Sequence, residues 1–103
     1  MRDDRYVREV DDETLRREKA RARALRQTSW WRRRIATGLC HYCRRSVGAK
    51  ALTLDHVVPL VRGGRSIRAN MVPACKACND KKQSLLAWEW QAYLDQLDRS
   101  FDS

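Results

Sequence analysis

Apolar positions are spaced in three different ways along this chain, and each spacing predicts a different element. Between Asp11 and Ala36 they form a thin stripe of Leu15, Ala22, Leu25, Trp30 or Trp31, and Ile35. The stripe is set among Arg, Glu, Lys and Ala, good helix formers with no Gly or Pro between them. This predicts one long solvated helix whose C-terminal part docks through its tryptophans. Asp11, Asp12 and Glu13 suit the positive end of its dipole, and Gly38 suits its termination. From Ala51 to Leu54 the chain is short and apolar, as in a strand, and Asp55-His56 closes that run. Pro59 and Gly63-Gly64 then break regular structure, a brief turn covers Ser66 to Asn70, and Met71-Val72-Pro73 leads into a second extended segment. Beyond Asn79 the residues Leu86, Trp90, Tyr93, Leu94 and Leu97 recur at three- and four-residue intervals, which predicts a C-terminal helix with a buried stripe. Met1 to Arg8 read as a charged tail that frays. The predicted order is helix, knuckle, strand pair, knuckle, helix.

At 103 residues the chain supports a single small core, and cores of that size commonly need a covalent or metal staple. Lys and Arg number 22 against 13 Asp and Glu, a formal net charge of +9. The excess is mostly arginine, whose planar fork grips phosphate, so a polyanion is the expected partner. A membrane surface would ask for an amphipathic helix with a bulky apolar face, and the basic half has none. The opening residues are charged rather than signal-like, which leads to the expectation of a cytoplasmic protein with reduced thiols.

Reduced cysteines in pairs point to metal. Cys40-His41-Tyr42-Cys43 and Cys75-Lys76-Ala77-Cys78 are two Cys-x-x-Cys knuckles, a spacing that brings both thiolates of a pair onto one tetrahedral ion. Cys40, Cys43, Cys75 and Cys78 would close the shell of a structural zinc. His41, inside the first knuckle, is then a bystander or a phosphate contact. The segment clamped between the knuckles contains His56, one of two histidines in the chain. Alone, a histidine at a strand end is usually structural. Here it follows Asp55 and is joined by Asn70 and Asn79, with Lys82 three residues beyond Asn79 on nearly the same helix side. Asp55 and Asn79 offer hard oxygen donors of the kind Mg²⁺ and Mn²⁺ prefer. His56, neutral near pH 7, can take a proton from water.

These residues, "CHYC", "LDHVVPLVRGG", "NMVPACKACN" and the following "DKK", resemble the HNH endonucleases, the ββα-metal nucleases. The resemblance runs from Cys40 to about Lys82. It implies an α+β fold: a ββα-metal core braced by the four-cysteine zinc site, carrying a long basic N-terminal helix and a C-terminal helix. The implied division is a basic extension over residues 1–37 and a nuclease domain over 38–100. It implies that His56 is the general base, that Asp55 and Asn79 hold the catalytic Mg²⁺ or Mn²⁺, and that Asn70 fixes the loop and orients His56. It also implies an endodeoxyribonuclease that leaves 5′-phosphate and 3′-hydroxyl ends on DNA, acting as a monomer or homodimer, in the manner of phage or prophage enzymes that work beside genome-packaging proteins. The third position, often histidine in the family, is Asn79, which should shift metal preference away from Zn²⁺ and Ni²⁺. Arg32, Arg33, Arg34, Arg62, Arg65 and Lys82 are the expected phosphate contacts. The competing expectations are a non-catalytic zinc-knuckle adaptor that binds nucleic acid and a knuckle that recruits acidic proteins.

Overall fold

The computed structural model describes residues 10–102, with side chains for 10–96. The tail Met1 to Arg8 and the side chain of Leu97 lie outside the described residues.

The basic N-terminal stretch forms two helices rather than one. Helix α1 spans Asp12–Arg26, with Asp11 at its N-cap accepting from the Thr14 N–H at 2.8 Å. Helix α2 spans Ser29–Ala36. The break is made by Thr28, whose hydroxyl donates to the Leu25 carbonyl at 2.6 Å and accepts from the Trp31 N–H at 3.3 Å. One side chain thereby satisfies an orphan group of each helix, and a threonine that does this competes with helix continuation. The separate direction of α2 lets Trp31 bury to 5% exposure. Gly38 follows with φ +73°, and a Cβ there would lie 3.2 Å from the Gly48 Cα, so two backbones cross where the first knuckle begins.

Strands β1 (Leu52–His56) and β2 (Met71–Cys75) pair antiparallel, with Leu52 opposite Cys75 and His56 opposite Met71. Helix α3 (Lys76–Lys82) leaves directly from β2, beginning before Asn79, and helix α4 covers Ala87–Asp102. The expected continuous C-terminal helix is thus also two. Gln83, at φ +46°, turns the chain, and Glu89 reaches back to the Leu86 N–H at 2.7 Å to cap α4.

The core joins Cys40, Leu52, Ala74, Cys75, Cys78 and Trp90, flanked by Ile35, Tyr42, Val47, Leu85, Tyr93 and Leu94. The aromatic stripe of α4 therefore packs on the cysteine knuckles. Trp90 stacks on Tyr93 at 5.5 Å and meets Tyr42 edge-on at 5.8 Å. Among the described residues no helix is long and apolar enough to cross a membrane.

Candidate active site

The two knuckles close on each other at the base of the hairpin. The four cysteine sulfurs all lie within 4.8 Å of one another, with Cys43 and Cys75 at 3.9 Å. Four thiolates around one ion at a Zn–S distance of about 2.3 Å would sit ~3.8 Å apart, so this set fits a tetrahedral ion. Backbone N–H groups of Tyr42, Cys43 and Cys75 point at the Cys40 sulfur at 3.4, 3.5 and 3.3 Å, as they would toward a thiolate. Burial pushes the Cys43 thiol up, but hydrogen bonds from Arg45 and its sulfur neighbours outweigh it and bring the value down to about 6. With four sulfurs the shell is closed, and a metal here braces the fold rather than reacting.

Between β1 and β2 the chain makes an excursion that Asn70 pins at both ends. Its Oδ1 accepts from the Val58 N–H at 2.8 Å, and its Nδ2 donates to the carbonyls of Val58 and Arg65 at 3.0 and 2.9 Å. The loop closes so tightly that a Cβ on Gly64 would fall 1.8 Å from the Val58 carbonyl oxygen. His56 leads into this loop from the end of β1. Its Nε2 lies 3.0 Å from the Ser66 hydroxyl, and Ser66 is bound to Glu18 of α1. The ring is half-buried beside an open cleft of about 230 Å³ lined by Leu54, Asp55, Pro59 and Leu60. Burial lowers the His56 pKa from its ordinary value; Asp55 and Glu18 oppose this and Lys82 adds to it. The imidazole is therefore neutral near pH 7 and can accept a proton.

Asp55 is 7% exposed, and its Oδ2 takes both the Tyr42 hydroxyl at 2.5 Å and the Lys82 ammonium at 3.3 Å. Burial, and then the carboxylate it bonds, push the Tyr42 pKa up, so its hydroxyl stays a donor. The Oδ1 of Asp55 has no hydrogen-bond partner among the described residues. Asn79 donates through Nδ2 to the Thr53 hydroxyl at 2.9 Å. Thr53 lies two residues before Asp55 on β1, hence on the same strand face. The amide oxygen of Asn79 likewise has no hydrogen-bond partner among the described residues. Asp55 on β1 and Asn79 on α3 thus each keep one oxygen without a hydrogen-bond partner among the described residues, and oxygen is the donor type a hard divalent cation takes.

Lys82, expected at the surface as a phosphate contact, is instead fully buried, with its ammonium on the carbonyls of His56 and Val57 at 3.2 and 3.3 Å. Arg62 ties the loop to α4 through Glu89 and the Ser84 carbonyl, each at 3.3 Å. Arg65 stays 62% exposed while its Nε lies 3.4 Å from Glu18. Arg32, whose guanidinium reaches the Gln27 carbonyl at 3.0 Å, and Arg33 are exposed on α2. Arg34 lies over the Trp30 ring at 5.8 Å, and Arg68 lies over the same ring at 5.4 Å. Trp30, Arg33, Arg34, His41 and Arg44 line an open basic groove of about 530 Å³.

Sequence reasoning missed Tyr42, Ser66 and Glu18. Tyr42 could have been suspected as a hydroxyl inside a knuckle. Glu18 carried no signal, being one acid in a highly charged helix.

Residues 40–85 match the family model for HNH endonuclease. That segment holds both knuckles, Asp55, His56, Asn70 and Asn79, the residues on which the sequence resembles this family, and α1, α2 and the whole of α4 lie outside it. A comparison with curated proteins returns no match.

Proposed function

We propose that this protein is a divalent-metal-dependent endonuclease that hydrolyses DNA phosphodiester bonds through an HNH site built on residues 38–100, with 1–37 as a basic extension that helps hold the duplex. One observation carries the reading. Within the matched segment a neutral, half-buried His56 stands at the mouth of a cleft, directly after a carboxylate with one free oxygen. His56 removes a proton from the attacking water, at the position a general base requires. Asn70 keeps the chain after His56 from moving, and so sets where the ring stands. Asp55 and Asn79 would hold Mg²⁺ or Mn²⁺ through their free oxygens. When bound, such an ion supplies neutralisation of charge on the scissile phosphate and the leaving oxygen. Tyr42 and Lys82 hold the other oxygen of Asp55 and so orient the carboxylate. The four-cysteine site takes zinc, which requires reduced thiols and supports a reducing compartment. Arg32, Arg33 and Arg34 on α2, with Arg65 on the loop, bind flanking phosphates.

One observation favours a second reading, a zinc-braced adaptor that binds DNA without cutting it. Lys82 already compensates the Asp55 charge, as it would in a structural ion pair. Supercoiled plasmid incubated with Mg²⁺ or Mn²⁺ separates the two. The enzyme nicks the plasmid and His56→Ala abolishes nicking while leaving salt-sensitive binding intact. Equal binding by both proteins with no metal-dependent nicking establishes the adaptor. Nicking supported by Ni²⁺ or Zn²⁺ but not by Mg²⁺ or Mn²⁺ refutes the oxygen-donor assignment of Asn79.

A further inference from the structure

The ring of His56 is held by a hydrogen-bond chain that begins in the N-terminal helix. Ser66 is 3% exposed, as is Glu18. The Ser66 backbone N–H donates to Glu18 Oε1 at 2.6 Å, and its hydroxyl donates to the Glu18 carbonyl oxygen at 2.6 Å. The same hydroxyl oxygen lies 3.0 Å from His56 Nε2. A carbonyl oxygen can only accept, so the single hydroxyl proton of Ser66 is committed to Glu18. Ser66 Oγ can then only accept from the imidazole, and Nε2 must carry the proton of the neutral ring. The lone pair is left on Nδ1.

We infer that Ser66 and Glu18 are positioning residues that lock His56 in the Nε2–H tautomer, making Nδ1 the atom that receives the proton from water, and that α1 is thereby part of the catalytic machinery rather than only a DNA-contacting arm. This rests on the reading of His56 as the general base. The groups that face the ring are Asp55 from β1, Glu18 from α1 and Lys82 from α3. Arg21 and Arg65 neutralise Glu18, at 2.8 and 3.4 Å from its Oε2. The carboxylate can stay buried and charged because those guanidinium groups and the Ser66 N–H compensate it. Outside the matched segment 40–85, Glu18 is where the N-terminal extension reaches into the site.

The chain has only two histidines, His41 and His56, so long-range ¹H–¹⁵N spectra of ring-labelled, zinc-loaded full-length protein resolve both tautomers. In the wild type, at a pH where the ring is neutral, His56 should show a protonated Nε2 and an unprotonated Nδ1. Ser66→Ala should collapse that pattern toward a tautomer mixture and lower the plasmid-nicking kcat on the order of 10-fold, the scale set by partners that orient functional histidines, with KM for DNA unchanged. Glu18→Gln keeps an oxygen acceptor for the Ser66 N–H and should preserve the tautomer; Glu18→Ala keeps the main-chain carbonyl that takes the hydroxyl proton but releases the Ser66 N–H, and should fall between wild type and Ser66→Ala. A wild-type His56 protonated on Nδ1 overturns the inference, as does an unchanged tautomer in Ser66→Ala. The spectra do not depend on cleavage. A locked Nε2–H tautomer in a protein that never nicks would sink the nuclease reading and leave the relay standing, whereas nicking with the reversed tautomer would sink the relay alone.

Discussion

Replacing Lys82 by methionine removes a charge from one of the most enclosed positions in the molecule while keeping most of the side-chain volume. The lysine is 0% exposed. Its ammonium lies 3.3 Å from Asp55, 3.2 Å from the His56 carbonyl and 3.3 Å from the Val57 carbonyl, and 5.6 Å from the Tyr42 ring centroid. Methionine fills similar space, so the packing cost is small, under about 1.5 kcal/mol. The larger loss is electrostatic. Asp55 stays buried with a hydroxyl but no cation, and leaving one partner of a buried pair uncompensated costs roughly 3–5 kcal/mol. The two carbonyls lose donors in the same event, so their cost overlaps that figure rather than adding to it. Against a total stability of about 5–15 kcal/mol this is severe. In a domain of this size it lowers Tm by more than about 10 °C. Thermal and urea unfolding of the zinc-loaded protein measure it directly. The double variant Asp55→Asn, Lys82→Met should recover a substantial part of the loss, because an asparagine oxygen still accepts from Tyr42 without needing a cation. A cost below about 1 kcal/mol for Lys82→Met, or strict additivity in the double variant, would refute the account of Lys82 as the internal counter-ion of Asp55.

Further outcomes follow from the same structure. Cys78→Ser, or treatment with a strong chelator, should abolish metal binding and unfold the domain, because the sulfur cluster lies inside the core that Trp90 seals; metal content and far-ultraviolet circular dichroism check it. Asn70→Ala removes three hydrogen bonds at the ends of the loop between β1 and β2 and should destabilise by about 2–3 kcal/mol, with a fall in nicking kcat on the proposed function; denaturant unfolding beside plasmid assays tests this. The Ser66 N–H, aided by Arg21 and Arg65, holds Glu18 below its ordinary pKa of 4.5 in spite of burial. A depressed carboxylate stabilises the fold above its unfolded pKa and loses that contribution as pH falls through the folded value. The stability difference between wild type and Glu18→Gln should therefore be flat above about pH 5 and shrink below 4.5. A difference independent of pH would mean Glu18 carries no linked proton.

What could be read from the chain itself were features set by short spacings. Two residues between the cysteines of each pair place both sulfurs on one ion whatever surrounds them. An apolar run ending in Asp55-His56 puts a histidine at a strand end, and the three- and four-residue recurrence of Trp90, Tyr93 and Leu94 turns one helix face to the core, with Trp90 buried and the other two half-buried. Local geometry alone dictates each of these. The helix breaks at Thr28 and Gln83 were not legible, since neither residue is a strong breaker; the broken helices are also where Trp31 and Trp90 reach burial. Nor was the role of Lys82, because a lysine on a short helix is ordinarily solvated, and only the tertiary approach of α3 to β1 encloses it over Asp55. The bond from Glu18 to Ser66 spans 48 positions of sequence. No periodicity or motif encodes such a contact: it exists only once α1 has docked against the loop, and it is that docking which settles how the ring of His56 is held.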